Sequence, residues 1–125
     1  MAITLNHTIV NVRDKRASAE FFTELFGLPP AKRFYHFLCA QVGPTTLDFC
    51  DADDEPEKQH YAFLVSEAEF DAIFGRLQAR GIDYWADPGK REKGRINRHD
   101  GGRGVYFEEP GGHFLEIITR PYGGL

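Results

Sequence analysis

Cysteine is scarce in this chain. Only Cys39 and Cys50 occur in 125 residues, at no framework spacing. That excludes a disulfide scaffold and leads us to expect a reduced, cytoplasmic setting. Both cysteines are expected as small buried hydrophobes. Long apolar runs are missing as well, so no segment approaches the roughly 20 residues of a membrane-spanning helix. The opening Met1-Ala2-Ile3-Thr4-Leu5-Asn6-His7 lacks a basic region and an apolar stretch, so no signal peptide is expected. Nor is there a basic excess. Fifteen Lys and Arg stand against 19 Asp and Glu, a net charge of -4, which argues against nucleic acid as the partner. A small-molecule substrate remains the expected partner.

What is present is ample core material and a duplication. The chain is 42% hydrophobic, with 11 Phe, enough for one compact domain or two fused small modules. Residues 3–12 alternate as a strand, with Leu5, His7 and Ile9 on one face and Thr8, Val10 and Val12 on the other. Asp14 suits a helix N-cap. Phe21, Phe22, Leu25 and Phe26 form a helical stripe that Gly27 stops, and Pro29-Pro30 forbids continuation. Residues 32–42 read as extended, as one strand or two. Gly43-Pro44 is a turn, and 45–50 a strand.

The pattern then restarts. His60, Ala62 and Leu64 share one strand face. Ser66 and Glu69 form a capping box, Phe70, Ile73, Phe74 and Leu77 make the stripe, and Gly81 ends it. A short strand over 82–85, a polar loop over 86–103, and strands over 103–108 and 113–119 complete the second half. Each half therefore reads β-α-β-β-β. The division is a first module over 1–51, an acidic linker over 52–58 and a second module over 59–125. The expected class is α+β, with paired βαβββ modules forming a curved mixed sheet around a metal-binding cleft and helices on the outer face.

His7 and His60 occupy the same point of the repeated unit, and Asp48 and Glu116 close the two halves. Two imidazoles and a carboxylate at matching points suggest a metal site of His7, His60 and Glu116, with coordination positions left for substrate, oxygen or water. Such donors suit divalent iron, manganese, zinc, nickel or cobalt. Asp48 matches Glu116 but is one methylene shorter; it is either a fourth ligand, making a more closed site, or an acid outside the coordination sphere. His36 and His113 read as strand-face residues and His99 as a loop residue.

Tyr106 lies ten residues before Glu116, on the partner strand of the Pro110-Gly111-Gly112 hairpin. A phenol there is either a core aromatic or a catalytic donor to bound substrate oxygen. The 86–103 loop carries Lys90, Arg91, Lys93, Arg95, Arg98 and Arg103. It is either a solvated loop or a lid for an anionic or oxygen-rich substrate.

Leu5-Asn6-His7, Ala19 to Leu28, His60-Tyr61-Ala62-Phe63 and Val105 to Glu116 together resemble the vicinal oxygen chelate superfamily. That group holds glyoxalase I, bleomycin-resistance proteins, extradiol dioxygenases and fosfomycin-resistance thiol transferases. The resemblance implies paired βαβββ modules and metal ligands at His7, His60 and Glu116, with Asp48 where glyoxalase I places a fourth ligand, a Glu. It also implies a homodimer, in which exchanged modules would take His7 from one subunit and His60 with Glu116 from the other. Extradiol dioxygenases share the ligands and a tyrosine spaced like Tyr106, so that activity is expected. A glyoxalase-type lyase, a thiol transferase, or a non-catalytic drug- or metabolite-binding protein are the alternatives. From the fosfomycin enzymes the chain departs in lacking a recognisable potassium-binding loop and in having Leu125 where they place an arginine.

Overall fold

The computed structural model describes residues 3–124; Met1, Ala2 and Leu125 lie outside the described residues. The chain divides into two units, one ending at Glu57 and the other beginning at Lys58.

The first unit is built of β1 (His7–Val12), α1 (Lys15–Phe26), β2 (Lys32–Phe34), β3 (Phe37–Val42) and β4 (Thr45–Asp51). Its sheet has the order β1-β4-β3-β2, with β1 parallel to β4 and the other pairs antiparallel. Asp14 caps α1, its carboxylate accepting from the N–H groups of Arg16 and Ala17. Gly27, at φ 69°, takes the left-handed conformation that ends the helix, which costs glycine little. Alternation along β1 buries Val10 and Val12, which join Ala19, Phe22 and Leu25 of α1 and Leu47 and Phe49 of β4 in one core. The opposite face, bearing His7 and a half-exposed Ile9, carries no helix of this unit.

The second unit repeats the plan with β5 (His60–Leu64), α2 (Glu67–Ala79), β6 (Tyr84–Trp85), β7 (Gly104–Glu108) and β8 (Phe114–Ile118), in the order β5-β8-β7-β6. Ser66 and Glu69 make the reciprocal capping box at the start of α2. Phe70, Ile73 and Leu77 of α2 are buried, as are Val105, Phe107, Leu115 and Ile117 of the sheet. Phe74 meets Tyr84 edge to face at 5.0 Å. Two helices and two mixed four-stranded sheets make the chain α+β, with the two βαβββ repeats that its periodicity implies.

Several local details differ from the expectations. Residues 32–42 do form two strands, but His36 sits in the turn between them, beside Tyr35 at φ 54°. His113 likewise precedes β8. It is 1% exposed, its Nδ1 accepts from the Gln59 N–H at 2.9 Å, and its own N–H donates to Glu109 at 3.0 Å. At the His113 turn, side-chain acceptors therefore replace ladder partners, whereas at the His36 turn it is the backbone carbonyl that accepts, from Lys15 Nζ at 2.7 Å. The 86–103 loop is pinned to the sheet by Asn97, which pairs with Gly104, and it contains a short 3₁₀ turn at His99–Gly101. Among the described residues, no helix is long and apolar enough to cross a membrane.

Candidate functional site

Register sets the site in the second unit. Parallel pairing puts Ala62 opposite Glu116, so His60 and Glu116 lie two residues apart on one sheet face. Antiparallel pairing then puts Tyr106 directly opposite Glu116. The side chains meet accordingly, with His60 Nε2 3.2 Å from Glu116 Oε1. His60 Nδ1 lies 3.0 Å from the carbonyl oxygen of Phe114, to which it donates. The His60 and Tyr106 rings stack at 5.9 Å, and Tyr106 stacks on Phe114 at 5.5 Å. Burial, then the charge of Glu116 and the hydrogen bond to it, push the Tyr106 phenol up to about 12. The phenol is thus a lasting proton donor beside a buried carboxylate.

The first unit repeats this register position for position. Ile9 stands opposite Asp48, two residues from His7, and Cys39 stands opposite Asp48 across the antiparallel ladder. His7, Asp48 and Cys39 therefore occupy the places of His60, Glu116 and Tyr106. The chemistry is not repeated. Asp48 makes no bond to His7, whose Nδ1 instead lies 2.7 Å from Asn6 Oδ1. Asp48 is 8% exposed, and its Oδ1 has no hydrogen-bond partner. The Cys39 thiol is pushed up to about 11 by burial and then by its hydrogen bond to Asp48 and that group's charge.

Each unit has a cavity at this face. The one in the second unit, about 730 Å³, is lined by His60, Tyr106, Phe114 and Glu116 and by His99, Asn97, Arg120 and Tyr122. The last four carried no signal in the sequence, because they sit on non-periodic turns. The turn at His99–Gly101 is tied to the one at Tyr122–Gly124 by the Gly123 N–H, which donates to Asp100 Oδ2 at 3.0 Å. The first unit's cavity, about 600 Å³, is lined by His7, Asp48, Cys39, Gln41, Lys32 and Arg33 among others.

The six loop cations scatter. Arg103 turns to α2, where its guanidinium bonds Glu67 and Asp71, each at 2.8 Å, and lies 4.4 Å above the Phe70 ring. Lys90 pairs with Glu108 and lies 5.1 Å from the Trp85 ring centre. Lys93 pairs with Asp83 at 3.4 Å. Arg91, Arg95 and Arg98 are exposed, and of the six only Arg103 borders the cavity.

The donor chemistry of the His60–Glu116 pair fits a divalent cation. His60 directs its Nδ1 at Phe114 O and turns Nε2 to within 3.2 Å of a carboxylate oxygen, and a ring nitrogen without a proton is an electron-pair donor. Two electron-pair donors converge there, and the backbone carbonyl fixes the ring as outer partners of metal-bound histidines do. Among the described residues no three His, Cys, Asp or Glu side chains converge to hold an ion by themselves.

Three comparisons bear on this arrangement. Residues 4–117 match the model of the Glyoxalase/Bleomycin resistance protein/Dioxygenase superfamily. The chain is 30% identical to a glutathione transferase, FosA, of Serratia marcescens, over all of this chain and 95% of that protein. It is 26% identical to a metallothiol transferase, FosB, of Shouchella clausii (strain KSM-K16), over 92% of this chain and 79% of the relative. Among solved structures it is similar to the oxidase ChaP-H1, with 54% identity, a TM-score of 0.95, and coverage of 98% of this chain and 100% of the other. These relatives are enzymes by name.

Proposed function

Because the chain belongs to the glyoxalase/bleomycin resistance protein/dioxygenase superfamily, we propose that it is a metal-dependent enzyme acting on a small substrate with adjacent oxygens, and specifically an extradiol-type dioxygenase. The observation that carries this reading is the placing of His60, Glu116 and Tyr106 on one sheet face above a cavity. In this proposal His7, His60 and Glu116 hold a divalent metal, iron(II) for the dioxygenase. Bound there, the metal supplies Lewis-acid stabilisation of an oxyanion.

The rest of the work falls to the chain. The Phe114 carbonyl orients the His60 ring by accepting a hydrogen bond from its Nδ1–H. Tyr106, protonated up to about pH 12, donates to Glu116 at rest and is placed to donate to a substrate oxygen. The Tyr106 and Phe114 rings provide a flat apolar wall that displaces water from one side of the ligand. Similarity to a solved oxidase at 54% identity supports oxidation over group transfer.

Thiol transfer is the second reading, favoured by the two curated relatives named as transferases. Anaerobic loading with iron(II), followed by oxygen and a panel of catechols, tests the first reading. Ring-cleavage products with iron retained are expected. A chain that retains no iron and cleaves no ring, yet consumes a thiol in the presence of an electrophile, belongs to the second.

A further inference from the structure

We propose that the second unit's cavity takes an aromatic substrate bearing a carboxylate, and that Arg120 reads this carboxylate while the substrate's adjacent oxygens lie toward His60 and Glu116. The adjacent oxygens rest on the function proposed above. The anionic arm is carried by the second unit alone.

Arg120 is a placed cation without a partner. Its side chain lies across Gly102, where a Cβ would come within 2.6 Å of Arg120 Cγ and 3.0 Å of Arg120 Cβ. Gly102 is buried, so the backbone beneath the stem belongs to the packed unit. A stem already laid against that backbone has given up part of the rotamer freedom that binding would otherwise cost. The residue is exposed at the edge of the cavity. Among the described residues its guanidinium makes no hydrogen bond or ion pair.

The other charged groups at the cavity are already engaged. Arg103 bonds Glu67 and Asp71, each at 2.8 Å. Asp100 Oδ2 accepts from the Gly123 N–H, and Glu116 lies against His60. Arg120 is therefore the cation left for a ligand. Its planar fork of N–H donors matches a carboxylate, which can accept two of them at once.

Strand register gives the direction. Glu116 and Ile118 border the cavity from one face of β8, roughly 7 Å apart along the strand. Arg120 follows two residues beyond and borders the same cavity. The Tyr106 and Phe114 rings, stacked at 5.5 Å, supply a flat wall beside Glu116. A planar ring laid on that wall directs its chelating oxygens to the His60 end and a charged substituent to the Arg120 end.

The test uses the full chain purified without chelators, as native protein, Arg120→Met and Arg120→Glu. Kd is measured anaerobically by calorimetry for three catechols: protocatechuate, which carries a ring carboxylate; its uncharged amide; and dopamine, which carries a cation. Metal per chain and Tm are read alongside. Native protein should bind the acid about tenfold more tightly than the amide, as a charge-assisted contact at an exposed site implies. Methionine keeps a stem over Gly102 and removes the charge, so the acid and the amide should bind alike, with metal content and Tm near native. Arg120→Glu should prefer dopamine to the acid, an inversion that a structural role for Arg120 would not produce. Equal affinity of native protein for acid and amide overturns the proposal. So does a preference for the acid that survives in Arg120→Met or Arg120→Glu. A native chain that holds metal yet binds none of the three overturns the oxygen-chelate reading itself, a failure distinct from binding without regard to charge.

Discussion

Tyr106 faces Glu116 across the β7–β8 ladder, and its phenol is held protonated by the burial and charge around that carboxylate. Cys39 faces Asp48 in the same way in the first unit. Both donors titrate above their ordinary values, Cys39 at about 11 in place of 9.0 and Tyr106 at about 12 in place of 10.0. A raised folded-state value means that the protonated form is favoured by folding. Its contribution is complete below the unfolded value and is lost as pH rises through the folded one. Stability should therefore decline from about pH 9 to 12, by way of Cys39 first and Tyr106 second. Urea unfolding across that range checks this. Cys39→Ser should flatten the lower part of the decline and Tyr106→Phe the upper part, and variants whose curves run parallel to native would contradict it.

Tyr106→Phe also separates donation from packing. The ring stack on Phe114 survives in the variant, so the fold should hold. Metal content should stay native, because the proposed ligands are untouched. Turnover should drop by about a hundredfold, the lower range for losing a positioned proton donor. A kcat near native at equal metal loading would leave the phenol without a catalytic part.

Glu116→Gln tests the metal directly. Glutamine preserves the volume of a residue that is 8% exposed but removes the anionic donor. Metal per chain should fall by at least about tenfold, the scale on which ligand-sphere changes act. Chelator treatment should lower the Tm of native protein, since removal of a ligand that binds only the folded state removes its stabilisation. The variant should show little further fall. Metal analysis with paired melts in and out of chelator gives the answer.

Sequence periodicity reached the strands and helices because each buries one face. Val10 and Val12 alternate with His7 and Ile9, and the Phe22 and Phe70 stripes recur at helical spacing. It reached His7, His60, Asp48 and Glu116 as candidates because duplication fixes equivalent positions in the ladder, and Tyr106 because the Pro110-Gly111-Gly112 hairpin sets its strand beside that of Glu116. It did not reach His99, Arg120 or Tyr122, since the turns that carry them are held by single bonds such as Gly123 to Asp100 and have no period. Nor could it show that Arg103 belongs to α2. The loop's charge suggested a ligand, while Glu67 and Asp71 lie 36 and 32 residues away in sequence. The different fates of Asp48 and Glu116 turn on one methylene, a difference of reach that pattern alone does not evaluate.

Arg103 accordingly should matter more for stability than for binding. Its guanidinium bonds two carboxylates and the Glu67 carbonyl, over the Phe70 ring. The carboxylates are exposed, which limits the ionic share, but the side chain itself is 20% exposed and rests on an aromatic face. Arg103→Met should cost about 1–2 kcal/mol, with a partial loss of the difference in high salt. Denaturant titration at low and high salt measures both. A variant of native stability would mean that the network adds nothing.

Gly102 and Gly101 offer a paired test of why the 99–103 turn has its glycines. Gly101 is at φ +76°, with open space around a Cβ position. Alanine there meets only backbone strain, about 1 kcal/mol. At Gly102 the backbone is extended, φ -119°, yet a Cβ would lie 2.6 Å from both Arg120 Cγ and Thr119 Oγ1. Thr119 Oγ1 is also the acceptor for the Arg103 N–H at 2.8 Å, so it cannot yield without breaking that bond. Gly102→Ala should therefore cost more, about 2–3 kcal/mol, on the scale of overpacking. Because Arg120 borders the second cavity, its displacement should raise KM as well, while Gly101→Ala leaves KM near native. Adding Arg120→Ala to Gly102→Ala should recover part of the stability and none of the KM. If the two single alanine variants lose equal stability, steric contact with Arg120 and Thr119 is not what requires glycine at 102.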